Sequence, residues 1–204
     1  MSTVLVTGFG PFAEHGENPS AQAVAELAAR WAGPGGVKLV TAVLPVSFAR
    51  STTELADLIA RHRPAVIVGV GLAAGARRIA LERVAVNLID ARIPDIDGAQ
   101  PVDQPVLPDQ PVARLTTLPV KAALRALHEA GLPAELSLSA GSYVCNAVMY
   151  TGLASAADGA ATGFVHVPPA DVVPVADAAS ALEILLHTVL TDPVDIVVPA
   201  GQEH

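Results

Sequence analysis

The sequence predicts an α/β sandwich with a largely parallel sheet. Segments typical of strands alternate along the chain with segments rich in helix formers and helix caps. Hydrophobic residues make up 51% of the 204 residues and charged residues only 16%, which is typical of a globular chain with a real core. We therefore expect a single domain over residues 1–204, with residues 192–204, approximately, as a loosely ordered tail.

The first strand and the first helix have clear boundary signals. Residues 3–7 are an apolar run that ends in the Gly-Phe-Gly-Pro-Phe segment 8–12. Asn18 followed by Pro19 predicts an N-cap and the first position of a helix, which ends at the glycine-rich segment 33–36.

The next three elements follow the same alternation. Residues 37–46 predict a second strand. Ser51 and Glu54 have the spacing of a capping box and predict the start of a helix that runs to His62. Residues 65–70 are an almost continuous apolar run, the pattern of a strand buried on both faces.

The middle of the chain combines strand signals with one long connection. Residues 78–90 predict a strand region, and residues 93–117 a loop rich in Pro, Asp and Gln. A loop of this length is uncommon unless it has a function or lies at an interface. Residues 119–130 predict a helix and residues 134–138 a short strand. After the cysteine segment described next, a strand over 163–167 and a helix over 175–190 complete the pattern.

Residues 139–150 carry the only cysteine. The small residues 139–141 allow a tight turn after the preceding strand, which predicts Cys145 at or just before the first turn of a helix. The helix dipole and the unpaired N–H groups there favour an anion, so the position suits a thiolate. A lone cysteine is also typical of an inert core residue, and a catalytic role requires a base and an orienting acid elsewhere.

Glu82 and His166 are the candidates for those two groups. Strand alternation over residues 79–87 places Glu82 on an otherwise apolar face, where it either pairs with Arg83, Arg92 or solvent, or orients a histidine. His166 lies in an apolar strand just before a Pro-Pro turn, the edge at which α/β sheets bind ligands. A core histidine held by a backbone carbonyl also fits this pattern. The remaining histidines lie in predicted helices, a loop and the terminus: His15, His62, His128, His187 and His204.

Composition excludes several classes of partner. A net charge of −8 with only two lysines argues against nonspecific nucleic-acid binding and against anionic membrane surfaces. No apolar run approaches the roughly 18–20 residues that a membrane span needs, and the start has no signal-peptide pattern, so we expect a cytoplasmic protein. The single cysteine excludes an internal disulfide, and no Cys/His cluster has metal-ligand spacing.

Two segments, 8–13 and 69–74, fit a Gly-x-Gly-x-x-Ala pattern after a strand. A dinucleotide fingerprint needs a helix that begins inside the motif. Pro11 disrupts the first segment, and a strand follows the second. We therefore expect no nucleotide and no other cofactor.

Five blocks of sequence, taken together and in order, resemble the pyrrolidone-carboxylate peptidases (pyroglutamyl peptidase type I). The blocks are Gly8-Phe-Gly-Pro-Phe12 with Asn18-Pro-Ser20, Leu81-Glu-Arg-Val-Ala-Val-Asn87, Asp90-Ala-Arg-Ile-Pro-Asp95, Ser139-Ala-Gly-Ser-Tyr-Val-Cys-Asn146 and Gly163-Phe-Val-His-Val-Pro168. They follow one another in the order of the family and cover most of the chain. The resemblance implies a three-layer α/β/α sandwich, usually a homotetramer, that removes N-terminal pyroglutamyl residues from peptides.

The resemblance also implies site roles. It assigns Cys145 as nucleophile, His166 as base and Glu82 as its partner, with Phe9 and Phe12 as walls of the pyroglutamyl pocket. We add two candidate substrate-binding residues. They are Asn18, near which backbone groups are available to a lactam, and Arg92, which would support Glu82 or the oxyanion.

The expected chemistry follows from these roles. The thiolate attacks the pyroglutamyl carbonyl, the imidazole protonates the leaving amine, and water hydrolyses the thioester. The chain departs from the family pattern at Leu72 and Ile96, which leaves a thiol hydrolase of another lactam or amide as an alternative. A non-catalytic module that binds a small neutral ligand is the alternative from a different class.

Overall fold

The computed structural model describes residues 2–12 and 16–201. The strands are β1 (Thr3–Phe9), β2 (Lys38–Leu44), β3 (Val66–Leu72), β4 (Ile79–Glu82), β5 (Val84–Val86), β6 (Ala113–Leu115), β7 (Ala134–Ser137) and β8 (Ala161–Val167). The α-helices are α1 (Pro19–Arg30), α2 (Phe48–His62), α3 (Val120–Glu129), α4 (Val144–Ser155) and α5 (Val175–Thr191). His15 and His204 lie outside the described residues.

The main sheet has six strands in the order β2-β1-β3-β8-β4-β7, and β5 pairs with β6 in a separate small sheet. Every neighbouring pair of the main sheet is parallel except β4 and β8, which are antiparallel. Apolar side chains of α1, α3 and α5 form one core cluster with the sheet, and those of α2 and α4 form another. The predicted α/β sandwich with a largely parallel sheet is thereby confirmed.

Helix α1 begins as the sequence predicts. Asn18 is its N-cap, and Pro19 occupies the first turn. The Asn18 Oδ1 accepts hydrogen bonds from the backbone N–H and the hydroxyl of Ser20, at 3.1 and 2.8 Å. This carboxamide therefore satisfies a donor that the helix itself leaves without a partner.

The predicted start of α2 is wrong. The helix begins at Phe48, and its N-cap is Ser47, whose Oγ accepts from the backbone N–H of Arg50 at 3.2 Å. Ser51 lies inside the helix, where its hydroxyl donates to the Ser47 carbonyl. A distant acceptor explains the earlier start, because the Asp95 Oδ2 accepts from the Phe48 N–H at 2.9 Å.

The single strand region predicted over residues 78–90 is also wrong, because it divides at Arg83 into β4 and β5, which belong to different sheets. The Arg83 N–H donates to the Ser137 carbonyl, and its carbonyl accepts from Thr116. Strand β6 lies within the connection predicted as a loop over 93–117. The predicted alternation of side chains along one strand therefore ends at Glu82. The residues that follow belong to another strand and do not share a face with Glu82.

Residues 192–201 contain no helix or strand, but they contact α3. The Asp195 Oδ1 accepts from the backbone N–H groups of Lys121 and Ala122, at 3.0 and 2.9 Å. The first turn of α3, which follows Pro119, thus receives its cap from the C-terminal segment. Residues 202–204 of the predicted tail lie outside the described residues. Within the described ranges, no helix has the length and apolar character needed to cross a membrane.

Candidate active site

A cavity of about 700 Å³ lies where strands β1 and β3 separate. The two strands pair from Val4 opposite Val66 only as far as Thr7 opposite Gly69, although β3 continues to Leu72. Beyond that point the Phe9 N–H donates to the Ser20 Oγ of α1 instead. Because α1 packs on one face of the sheet and α2 on the other, the cavity is at a topological switch point, the usual place for ligands in such sheets.

The cavity has an apolar interior and a charged mouth. Phe9 and Val46 on its wall are buried, whereas Asp90, Arg92 and Ile93 are exposed. The complete lining comprises Phe9, Phe12, Asn18, Val46, Leu72, Ala74, Asp90, Arg92, Ile93, Gly141, Ser142, Tyr143 and Cys145. Such a site suits a small uncharged group inside and a longer chain that leaves through the mouth.

Cys145 lies in the first turn of α4, as the sequence predicts, and lines the cavity. Its helix begins after Tyr143, whose side chain makes no capping hydrogen bond. The N–H groups of this first turn have no partners within the helix, so they are available to an anionic oxygen. The sulfur packs closely against β3, because a Cβ added to Gly71 would lie 2.9 Å from the Cys145 Sγ.

His166 and Glu82 are brought together by the antiparallel pairing of β8 and β4. Ala80 lies opposite His166 and Glu82 lies opposite Phe164, so Glu82 and His166 are diagonal neighbours. The Nδ1 of His166 is 2.8 Å from the Oε1 of Glu82, and both side chains are buried. Of the alternatives left open by the sequence, the structure therefore shows the carboxylate–imidazole pair. Among the described residues, Glu82 forms no ion pair with an arginine.

Both Cys145 and Glu82 influence the pKa of the His166 imidazole. Burial by itself lowers the pKa of His166, but a hydrogen bond to Cys145 and a second one to Glu82, with the charges of both groups, raise it to about 10. The raised pKa favours the protonated form of the imidazole. A thiol, an imidazole and a carboxylate in series are the usual parts of an activated cysteine nucleophile.

Asn18 lines the cavity, but its carboxamide is occupied by the fold. Its Oδ1 caps α1, and its Nδ2 donates to the Gly10 carbonyl at 3.0 Å. The side chain thus holds the segment next to Phe9. Phe12, on the same wall, packs its ring against that of Tyr143 with the centroids 5.7 Å apart. Arg92 stands at the mouth, and Ile96 is 45% exposed and not part of the lining.

Two important residues were missed by sequence reasoning. Asp95 is buried, and its Oδ1 accepts from the N–H groups of Asp97 and Ala99 while its Oδ2 reaches α2. The Pro-Asp-x-x-Gly spacing, with Gly98 at φ +84°, was an available turn signal. Asn146 is fully buried and bonds the backbone of Val86 and Leu88, a contact that no local pattern reveals.

The described residues offer no obvious metal site. Nowhere in residues 2–12 and 16–201 do three or more His, Cys, Asp or Glu side chains form a group that could hold a metal ion.

Comparison with known proteins gives consistent matches over the whole chain. The family model described as pyroglutamyl peptidase matches residues 2–200. A pyrrolidone-carboxylate peptidase of Escherichia fergusonii is 43% identical over 217 residues, and one of Streptomyces coelicolor is 41% identical over 219 residues, each match covering 100% of both chains.

Solved structures agree with these sequence matches. The pyrrolidone carboxyl peptidase from Thermococcus litoralis superposes with a TM-score of 0.90 at 35% identity, covering 98% of this chain and 100% of that one. The pyroglutamyl peptidase I of Bacillus amyloliquefaciens gives a TM-score of 0.88 at 34% identity, covering 96% of this chain and 100% of that one. The similarity thus includes the fold and the complete length of the relatives.

Proposed function

The chain belongs to the pyroglutamyl peptidase family, and from that premise we propose that it removes N-terminal pyroglutamyl residues from peptides by means of Cys145, His166 and Glu82. One observation carries the assignment of residues: the Cys145 sulfur lines the cavity and is linked through His166 to Glu82. The cavity supplies a space for the substrate beside the sulfur.

The reaction proceeds in two halves. The Cys145 sulfur attacks the pyroglutamyl carbonyl carbon, and the first-turn N–H groups of α4 stabilise the oxyanion. The C–N bond then breaks as the His166 imidazolium gives its proton to the leaving amine, which yields a thioester. Water attacks the thioester carbonyl carbon while His166 takes a proton from the water. The C–S bond then breaks, which releases free pyroglutamate and restores the Cys145 thiolate. Glu82 keeps the imidazole oriented and stabilises its positive charge.

The shape of the cavity suits the uncharged ring of the substrate. A pyroglutamyl group is a lactam with one N–H donor, one ring carbonyl and an apolar ring face. We propose Phe9 and Phe12 as the walls for that face. We propose that Asn18 holds the segment next to Phe9 in place through its hydrogen bond to the Gly10 carbonyl. We propose that Arg92 supports the oxyanion, because the position of Arg92 at the mouth is compatible with contact to a bound carbonyl.

Backbone groups of Leu72 are candidates for the lactam hydrogen bonds. The Ala73 N–H donates to the Val167 carbonyl of β8, and successive residues of a strand direct their backbone groups to opposite sides. The N–H and carbonyl of Leu72 are therefore directed toward the β1 side, where β1 has already left the ladder. This backbone N–H and carbonyl match the carbonyl and the N–H of the lactam. The match does not depend on the side chain at position 72.

A panel of fluorogenic amides tests the function. We expect release of the fluorophore from the pyroglutamyl amide, no release from prolyl, glutamyl or glutaminyl amides, and loss of release after treatment with a thiol alkylator. Cleavage of a different amide in preference would support the alternative thiol hydrolase. Absence of turnover on every amide would support a binding module.

We also propose a cytoplasmic homotetramer. Exposed apolar side chains are compatible with subunit contacts, among them Val102 at 57%, Leu115 at 66% and Val112 at 87% exposed. Light scattering of the purified protein should give four times the 20.8 kDa of one chain. A monomer mass at micromolar concentration would contradict the tetramer.

A further inference from the structure

Both tyrosines of the chain attach helix α4 and its N-cap to the long connection between β5 and β6. The Tyr143 hydroxyl donates to the Pro94 carbonyl at 3.0 Å, and the Tyr150 hydroxyl donates to the Pro111 carbonyl at 2.5 Å. Only Tyr143 lines the cavity. The two side chains therefore make the same kind of bond to the same connection, one at the site and one away from it.

The Tyr143 ring also contacts the rings of Phe12, which lines the cavity, and Phe48, which does not. Its centroid is 5.7 Å from that of Phe12 and 5.1 Å from that of Phe48, the latter in an edge-on arrangement. Phe12 is a wall of the cavity, and Pro94 directly follows Ile93, which is part of the lining. A single side chain thus connects Phe12 with the segment that carries Ile93.

The segment that carries Ile93 is fixed at both ends. On one side the Asp90 N–H donates to the Ser142 carbonyl at 3.1 Å. On the other side the Asp95 carboxylate accepts from the Phe48 N–H. Between these anchors Ile93 is 42% exposed, and the hydroxyl of Tyr143 holds the carbonyl of the next residue.

We propose that Tyr143 is a positioning residue for the substrate, whose hydroxyl sets the place of Ile93 relative to Phe12 and so the fit of the pyroglutamyl ring. The inference rests on the proposed function. The hydroxyl remains a donor throughout ordinary assay conditions, because burial, and then the charges of Asp95 and Cys145, raise the pKa of Tyr143 to about 12. Since the bond does not involve the sulfur or the imidazole, its loss affects ring binding and not the chemical step.

The experiment compares Tyr143→Phe with the matched variant Tyr150→Phe. Two quantities are measured: kcat and KM for a pyroglutamyl amide, and the concentration of 2-pyrrolidone that half protects Cys145 from alkylation by iodoacetamide. In Tyr143→Phe we expect KM and the protecting concentration to rise about threefold to tenfold, the size of one lost hydrogen bond, with kcat nearly unchanged. In Tyr150→Phe we expect both to stay at wild-type values.

A third variant tests the route through Ile93. Ile93→Ala should raise KM by itself, and combining it with Tyr143→Phe should add little, because both changes remove the same contact. An unchanged KM in Tyr143→Phe, an equal rise in Tyr150→Phe, or full additivity with Ile93→Ala would each overturn the proposal. A wild-type protein without turnover would instead contradict the proposed function. The protection of Cys145 by 2-pyrrolidone would still test the role of Tyr143 in ring binding.

Discussion

The Nδ1 of His166 lies 2.8 Å from the Oε1 of Glu82, although the two residues are 84 positions apart in the chain. The antiparallel register of β4 and β8 is what makes this contact possible. Burial of both groups away from water makes the pairing strong and leaves few alternatives for either partner. The other acceptor of this carboxylate, Oε2, has no hydrogen-bond partner among the described residues, so its orientation depends on the imidazole.

The first prediction concerns stability at alkaline pH. The folded pKa of His166, about 10, is above its ordinary value of 6.5. Its contribution to stability is therefore complete below pH 6.5 and is lost as the pH rises toward 10. Urea unfolding of the wild type and of His166→Gln should show a difference in free energy of unfolding that shrinks across this interval. A constant difference would contradict the raised pKa.

A second prediction identifies the cause of that pKa. The hydrogen bond to Cys145 is the largest influence that raises the pKa of His166. In Cys145→Ala the imidazole should therefore titrate at lower pH than in the wild type, as followed by its ring C–H resonances in NMR spectra. Equal midpoints in the two proteins would show that the sulfur does not interact with the ring.

The third prediction uses the close packing at Gly71. A Cβ at this position would lie 2.9 Å from the Cys145 Sγ, so Gly71→Ala must displace the sulfur or β3. A displacement of a reacting group by about 1 Å can reduce turnover about a hundredfold. We therefore expect a loss of similar size in kcat for a pyroglutamyl amide when the Cys145 sulfur is displaced.

Gly69→Ala is the matched control for that change. Its Cβ would crowd the Phe164 ring, at 2.5 Å, which Gly71→Ala also crowds, but it would not meet the sulfur. Both variants should lose stability in urea unfolding, whereas Gly71→Ala should lose more activity than Gly69→Ala. Equal losses of activity would indicate that crowding of the Phe164 ring, and not displacement of the Cys145 sulfur, causes the loss.

The fourth prediction concerns Asn146, next to the nucleophile. Its buried amide makes hydrogen bonds with the N–H and carbonyl of Val86 and with the carbonyl of Leu88. Asn146→Ala removes all three, and with about 1 kcal/mol for each we expect a loss of about 3 kcal/mol in free energy of unfolding. Asn146→Asp keeps the acceptor but places a second carboxylate oxygen against the carbonyls of Val86 and Leu88 at a fully buried position, so it should lose at least as much as the alanine variant. A loss below about 1 kcal/mol for the alanine variant would mean that β5 does not depend on this contact.

The fifth prediction separates stability from activity at the C-terminal segment. Asp195→Ala removes the side-chain cap of α3 and should cost about 1 kcal/mol in free energy of unfolding. Because α3 does not line the cavity, kcat and KM should not change. Asp192→Ala, an exposed change in the same segment, is the control and should alter neither quantity. Loss of activity in Asp195→Ala with the fold intact would contradict this separation.

Local signals were sufficient for some parts of the site and not for others. The turn of small residues before Cys145 and the Pro-Pro turn after His166 mark where a helix begins and a strand ends, and both are confirmed. The pairing of Glu82 with His166 depends on which strands become neighbours, and no local periodicity contains that information. The order of strands in the sheet is set by the packing of helices on both faces.

Long-range contacts also explain the errors in the elements. The start of α2 at Phe48 depends on Asp95, which is 47 residues away. Strand β6 has only three residues, which are partly exposed, so it is too short to show an alternation of apolar and polar residues. It forms because its backbone pairs with β5 in an antiparallel ladder. In each case a distant part of the chain completes the hydrogen bonds of the local segment.

The rate at which iodoacetamide alkylates Cys145 at pH 7 tests most directly whether the sulfur, the imidazole and the carboxylate act as one unit. Loss of the imidazole in His166→Ala should slow the reaction by about tenfold or more, and Glu82→Gln should slow it less, because a protonated imidazole next to the sulfur favours the reactive thiolate. Identical alkylation rates in the wild type and His166→Ala, both folded, would contradict the account.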